Sequence, residues 1–131
     1  MKLHDQKGLA MVELALLLPL LLLILLGIIE FGRALFVKND LTNAAREGAR
    51  RASVSLTDPT ADPVRAELQG YIAAACPVPI TPEAVIVEAT PSPPQHGTST
   101  IKVTVPYEFD CLYDLIPLDV TLEGEASMFY E

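Results

Sequence analysis

The sequence predicts an α+β protein, in which a long N-terminal helix packs on a small antiparallel sheet. Three observations carry this. Residues 9–29 form an apolar block with one charge, Glu13. Residues 31–54 keep apolar and small side chains at helical spacing. After residue 83, β-branched segments alternate with turn residues.

The first element is a membrane helix. Twenty-one residues from Leu9 to Ile29 span roughly 31 Å at helical rise, close to the hydrocarbon thickness of a bilayer. The chain is short, 131 residues, which bounds it to one small domain plus appendages. Its charge is polarised. Residues 1–57 carry seven Lys/Arg against five Asp/Glu, and residues 58–131 carry two against twelve, giving the net −8. So acidic a C-terminal half excludes a nucleic-acid partner, whose backbone it would repel, and suits a solvent-facing head.

Three readings compete for the N-terminal segment. A secretory signal peptide has an apolar region of about 7–15 residues followed by a small-x-small cut site, and neither feature fits here. A plain signal anchor fits the length but leaves Gly8 and Glu13 unexplained. A carboxylate within a membrane segment costs roughly 2.5–3.5 kcal/mol on insertion scales, which marks it as functional by default. Glu13 is the fifth residue after Gly8, with Lys2 and Lys7 ahead, and that pattern resembles a type IV pilin-like (class III) signal cut after the glycine. Glycine before the scissile bond offers no side chain to a narrow peptidase site. Cleavage would leave a new α-amino group on Leu9, and Glu13 would offer its carboxylate to such a cation inside an assembly. Charge alone does not orient the segment. Lys2 and Lys7 on one side nearly balance Arg33, Lys38 and Arg46 on the other.

Helical spacing continues past the membrane through Phe31, Leu35, Leu41, Ala45, Gly48 and Ala52. Glu47 and Arg51 stand at i,i+4 in the favoured order. The helix is expected to end near Val54, before Asp58-Pro59. From Leu9 that makes 46 residues, roughly 69 Å if continuous. Pro19 removes one backbone donor inside the membrane part. Ala44, Gly48 and Ala52 form a small-residue stripe flanked by Ala45 and Ala49, which lets another backbone approach closely. That backbone belongs to the chain's own head or to a neighbouring subunit helix.

These residues together resemble the TadE-like pseudopilin family, which serves tight-adherence (Flp-type) pilus assembly. The matching positions are Gly8 and Glu13, Leu18-Pro19, Glu30-Phe31-Gly32-Arg33, and Ala44-Ala45-Arg46-Glu47-Gly48-Ala49-Arg50. Glu125-Ala126-Ser127-Met128 fits the family's closing strand more loosely. Leu14 follows the acid where the family often has an aromatic. The resemblance implies a pilin-like fold and a minor, non-enzymatic pilus component. It implies a 1–8 leader, a transmembrane helix over 9–29, an extracytoplasmic helix over 30–57 and a head over 58–131. The implied partners are a prepilin peptidase, other pseudopilins, a major Flp-type pilin, an inner-membrane assembly platform and the lipid bilayer. The implied location is the bacterial inner membrane, single-pass, with the N-terminus cytoplasmic. The rival is an uncleaved membrane-anchored accessory or binding protein of a secretion or adhesion system.

The head reads as a short helix followed by strands. Asp62 is expected to cap a helix with Pro63 at its first position, ended by Cys76-Pro77. Residues 83–90 read as a strand, 91–97 as a loop, and 100–109 as an alternating strand with Ile101, Val103, Val105 and Tyr107 on one face. Pro106 marks an edge or a bulge. A last strand or pair covers Asp119 to Tyr130. Cys76 and Cys111 are expected to form a disulfide if the head is extracytoplasmic, closing a loop of about 35 residues and adding something like 3–4 kcal/mol. The alternative is two free thiols acting as small core groups. No catalytic triad can be assembled, because His4 lies in the leader and His96 in a Pro-rich loop. No cofactor or metal is expected: Glu108, Asp110, Asp114 and Asp119 match no EF-hand spacing and read as a solvated acidic surface.

Overall fold

The computed structural model describes residues 3–111 and 120–131, with side chains from Gly8 onward. Asp114 and Asp119 of the acidic group, and the first two leader residues, lie outside the described residues. Helix α1 runs Leu3–Ser53 and α2 runs Asp62–Ala75. A 3₁₀ turn at Pro82–Ala84 precedes strands β1 (Ile86–Thr90), β2 (Thr100–Phe109) and β3 (Val120–Phe129). The chain divides into two units, one ending at Arg33 and the other running Ala34–Glu131. The long helix with a small antiparallel sheet makes the fold α+β, as the sequence predicts.

In the second unit the sheet has the order β1-β2-β3, antiparallel throughout. Ile101, Val103, Val105 and Phe109 of β2 are buried, while Lys102 and Glu108 are exposed, which is the period-2 alternation of a strand with one covered face. Val87 of β1 and Val85, just before the strand, are buried with that face. Opposite Val105 in the register stands Gly124. A Cβ there would run into the backbone of Leu41 and Thr42, with Thr42 N at 2.6 Å. The glycine is therefore what lets α1 lie directly on β3. Pro106 sits in the central strand, yet β1 pairs only as far as Thr104. Its missing N–H falls where β2 has a single neighbour, so the edge expected from the sequence is local.

Three expectations shift by a few residues. Asp62 is the first residue of α2 and not its cap; Ala61 is the cap, without a side-chain bond. Asp62 pairs instead with Arg65. The Asx-type turn is made by Asp58, whose Oδ1 accepts from Thr60 N at 2.8 Å and Thr60 Oγ1 at 2.6 Å. β1 begins at Ile86 because Pro82 starts a 3₁₀ turn, closed by Val85 N donating to Pro82 O at 3.1 Å. In the helical series that continues past the apolar run, Phe31 and Leu35 are exposed, whereas Leu41, Ala45, Gly48 and Ala52 are buried, so the covered face begins only at Val37.

Tyr130 ties the far end of the head together. Its N–H donates to Ser99 O at 2.9 Å and its carbonyl accepts from Gly97 N at 2.6 Å. Its hydroxyl donates to Thr57 O at 3.2 Å, and its ring stacks on His96 at 4.0 Å. Next to it, Glu131 N donates to Ser53 O at 2.9 Å, satisfying a carbonyl at the end of α1. Within the Pro-rich loop, fully buried Ser99 accepts from Gln95 N through Oγ at 2.8 Å, and Gly97 takes the positive φ of 74° that the turn requires. These bonds hold a segment that composition marks only as loop.

Two consequences are measurable. Gly124→Ala is expected to destabilise the full chain by about 3 kcal/mol, because a methyl group meets backbone that cannot rotate away; urea unfolding in detergent micelles reads this. Burial, then the charge of Asp58, raises the pKa of the Tyr130 phenol above its ordinary value. The unfolded chain therefore loses that proton first, and the linked stability, intact below the ordinary value, is lost as pH rises through the folded one. The thermal midpoint is expected to fall above about pH 10, and Tyr130→Phe is expected to flatten that limb.

Candidate processing and assembly site

The site is built on the first unit. Fifteen large apolar side chains from Leu9 to Ile29 are 48–74% exposed, on every side of the helix. An isolated soluble surface does not carry so continuous an apolar coat, whereas a helix apolar all round belongs in lipid or among other apolar helices. α1 is long and apolar enough to cross a membrane. It stays helical through Pro19.

Gly8 and Leu9 both lie inside α1, and a Cβ on Gly8 would meet nothing within 4 Å. The glycine is not demanded by packing. Leu9 and Glu13 are four residues apart on this helix, hence one above the other on one face. The Glu13 side chain is exposed among leucines. At the end of the apolar run, Arg33 Nη2 and Glu30 Oε1 pair at 2.9 Å, which places two charges together just where the apolar coat stops.

The small-residue stripe lies in the second unit. Ala44, Ala45, Gly48, Ala49 and Ala52 are all buried, and what they meet is the chain's own head. A Cβ at Gly48 would stand 2.6 Å from Ile72 Cγ1 of α2 and 3.6 Å from Val103 Cγ1 of β2. Glu47 and Arg51, expected to pair with each other, both turn to Tyr71 of α2. The Arg51 guanidinium lies 3.9 Å over the ring, and the Tyr71 hydroxyl donates to Glu47 Oε1 at 3.4 Å. Tyr71 went unnoticed in the sequence because its partners come from another helix; its i+3 spacing from Leu68 gave the only signal.

Cys76 and Cys111 are free thiols, so the expected disulfide is not made. Both are partly buried against the core, the small-hydrophobe alternative. Burial raises the Cys76 thiol pKa, the nearby charge of Asp40 adds to this, and the hydrogen bond with the Val78 backbone opposes it. A thiol held protonated is a poor nucleophile for exchange. Alkylation of the denatured, unreduced chain is expected to add two adducts by intact mass; none would mean that a bridge forms.

Residues 8–50 match the family model of TadE-like proteins. The match starts at the glycine of the pilin-like signal and ends within the small-residue stripe, so the resemblance read from the residues is shown over that segment. No curated protein and no solved structure matches the chain.

Proposed function

We propose that this chain is a minor pilin-like component of a tight-adherence (Flp-type) pilus system, anchored by residues 9–29 and processed by a prepilin peptidase after Gly8. The observation that supports it most is that the TadE-like segment, residues 8–50, contains an apolar run over 9–29 whose one ionisable group, Glu13, lies one turn from Leu9. Cleavage would create an ammonium on Leu9. A carboxylate on the same face of a neighbouring or the same helix would neutralise it in an apolar assembly, where an unpaired charge is strongly disfavoured. Processing of a helical segment first requires local unwinding, and Gly8 lowers that barrier by roughly 1 kcal/mol relative to alanine. Glu13 then has two roles, in recognition and in subunit docking. The proposed partners are the peptidase, other pseudopilins, the major pilin and the inner-membrane platform. The proposed topology has a cytoplasmic N-terminus and an extracytoplasmic, non-enzymatic head.

Intact mass and N-terminal sequencing of the protein from native membranes test this. The expected mature chain starts at Leu9 and has 123 residues (131 − 8). Gly8→Ala is expected to leave the chain uncut, while Glu13→Ala is expected to be cut more slowly and its cut product to fail to enter the assembled fraction. A start at Met1 in cells with an active prepilin peptidase would falsify the processing step and favour the uncleaved, anchored accessory protein.

A further inference from the structure

Within the second unit, α1 and the sheet bury one face each against the other and leave the opposite faces outward. On α1 the outward stripe is Phe36, Asn39, Asn43, Arg46 and Arg50, all exposed and half a helical turn away from Leu41, Ala45 and Gly48. Neither Arg46 nor Arg50 makes an ion pair among the described residues. On the sheet the outward face carries Glu88, Glu108, Glu123 and Glu125 with one cation, Lys102. Lys102 Nζ pairs with Glu125 Oε1 at 2.8 Å. Glu88, Glu108 and Glu123 make no ion pair among the described residues.

We propose that copies of this chain associate head to tail, the acidic outer sheet face of one copy docking on the Arg46–Arg50 stripe of the next. The two surfaces match in scale as well as in sign. Arg46 and Arg50 are spaced by about 6 Å along a helix. Glu108 and Glu123, which make no ion pair among the described residues, stand on adjacent strands with Glu123 two residues from the register partner of Glu108, roughly 6.8 Å along the strand. Residues 34–131 carry six Lys/Arg against fourteen Asp/Glu, a net of −8. Heads so acidic repel one another in most orientations, so charge selects the one that presents the basic stripe. Because the two faces point in opposite directions, one pair of copies cannot satisfy both contacts at once. The contact is heterologous and adds copies in one direction. It does not depend on cleavage after Gly8, and its test leaves the N-terminus untouched.

The experiment uses the full-length chain, tagged with donor or acceptor fluorophores and co-reconstituted in phosphatidylcholine vesicles, with energy transfer as the readout. Arg46→Glu/Arg50→Glu is expected to weaken association about fivefold to tenfold, and Glu108→Lys/Glu123→Lys to weaken it similarly. A mixture of the two variants is expected to recover wild-type transfer, since the reversed stripe then meets a reversed sheet. That recovery also excludes misfolding as the cause of either loss. Association unchanged by both reversals, or a mixture no better than each variant alone, would overturn the proposal. So would a dependence on Arg46 and Arg50 that appears only when anionic lipid is added, because the stripe would then be a headgroup contact.

Discussion

The close approach of α1 to the sheet is the constraint on which the head depends. Leu41 and Thr42 backbone atoms lie where a Cβ of Gly124 would be, and Gly48 leaves room for Ile72. Packing a helix this close to a strand requires small groups on both sides, and the sequence supplies Ala44, Ala45, Gly48, Ala49 and Ala52 on one side and Gly124 and Ala126 on the other. The larger core residues, Leu41, Ile72, Ile101, Val103 and Val105, fill the space around that contact. With so few large side chains, the head gains its definition from fit, which is why the extreme C-terminal residues are fastened by hydrogen bonds to Ser53, Thr57 and Ser99.

The same helix obeys two different rules along its length. From Leu9 to Ile29 its large apolar side chains are exposed on all sides, and nothing in that apolar pattern selects a face. From Val37 the pattern becomes amphipathic, with one face buried and the other bearing Asn39, Asn43, Arg46 and Arg50. The ion pair of Glu30 with Arg33 falls between the two regimes. A change from uniform to one-sided apolarity over a few residues signals a change of surroundings, from a medium that is apolar everywhere to a protein core on one side and water on the other.

How much of this was legible followed from the range of each interaction. α1, the alternation of β2 and the stepping of β3 are written in local spacing, so spacing alone puts Ile101, Val103 and Val105 on the face that the structure buries. The end of α1 near Asp58-Pro59 was legible for the same reason, since the stop signals adjoin the helix. What the sequence withheld was the partner of each surface. The alanine stripe announced a close contact but not that the head, through Ile72 and Val103, would occupy it. Glu47 and Arg51 looked like a pair until Tyr71 arrived from α2. A compartment says only that cysteines could bond, and the partial burial of Cys76 and Cys111 against the core gives them a packing role without a bond. In the candidate site, Gly8, Leu9 and Glu13 were legible as a motif, whereas their shared helical face required the backbone.

Because the small-residue stripe is filled from within the chain, recognition between copies falls to other surfaces. The leucine coat of residues 9–29 cannot supply it. Lipid tails are as apolar as leucine, so an unpatterned apolar helix gains little by exchanging lipid for a neighbour and gains nothing from one register over another. Within that coat the only group able to set a register is Glu13, and it can do so only with a partner charge. Outside it, the charged outer faces of the head discriminate between orientations. An assembly built on this chain therefore takes its affinity for the membrane from its leucines and its geometry from a few charges.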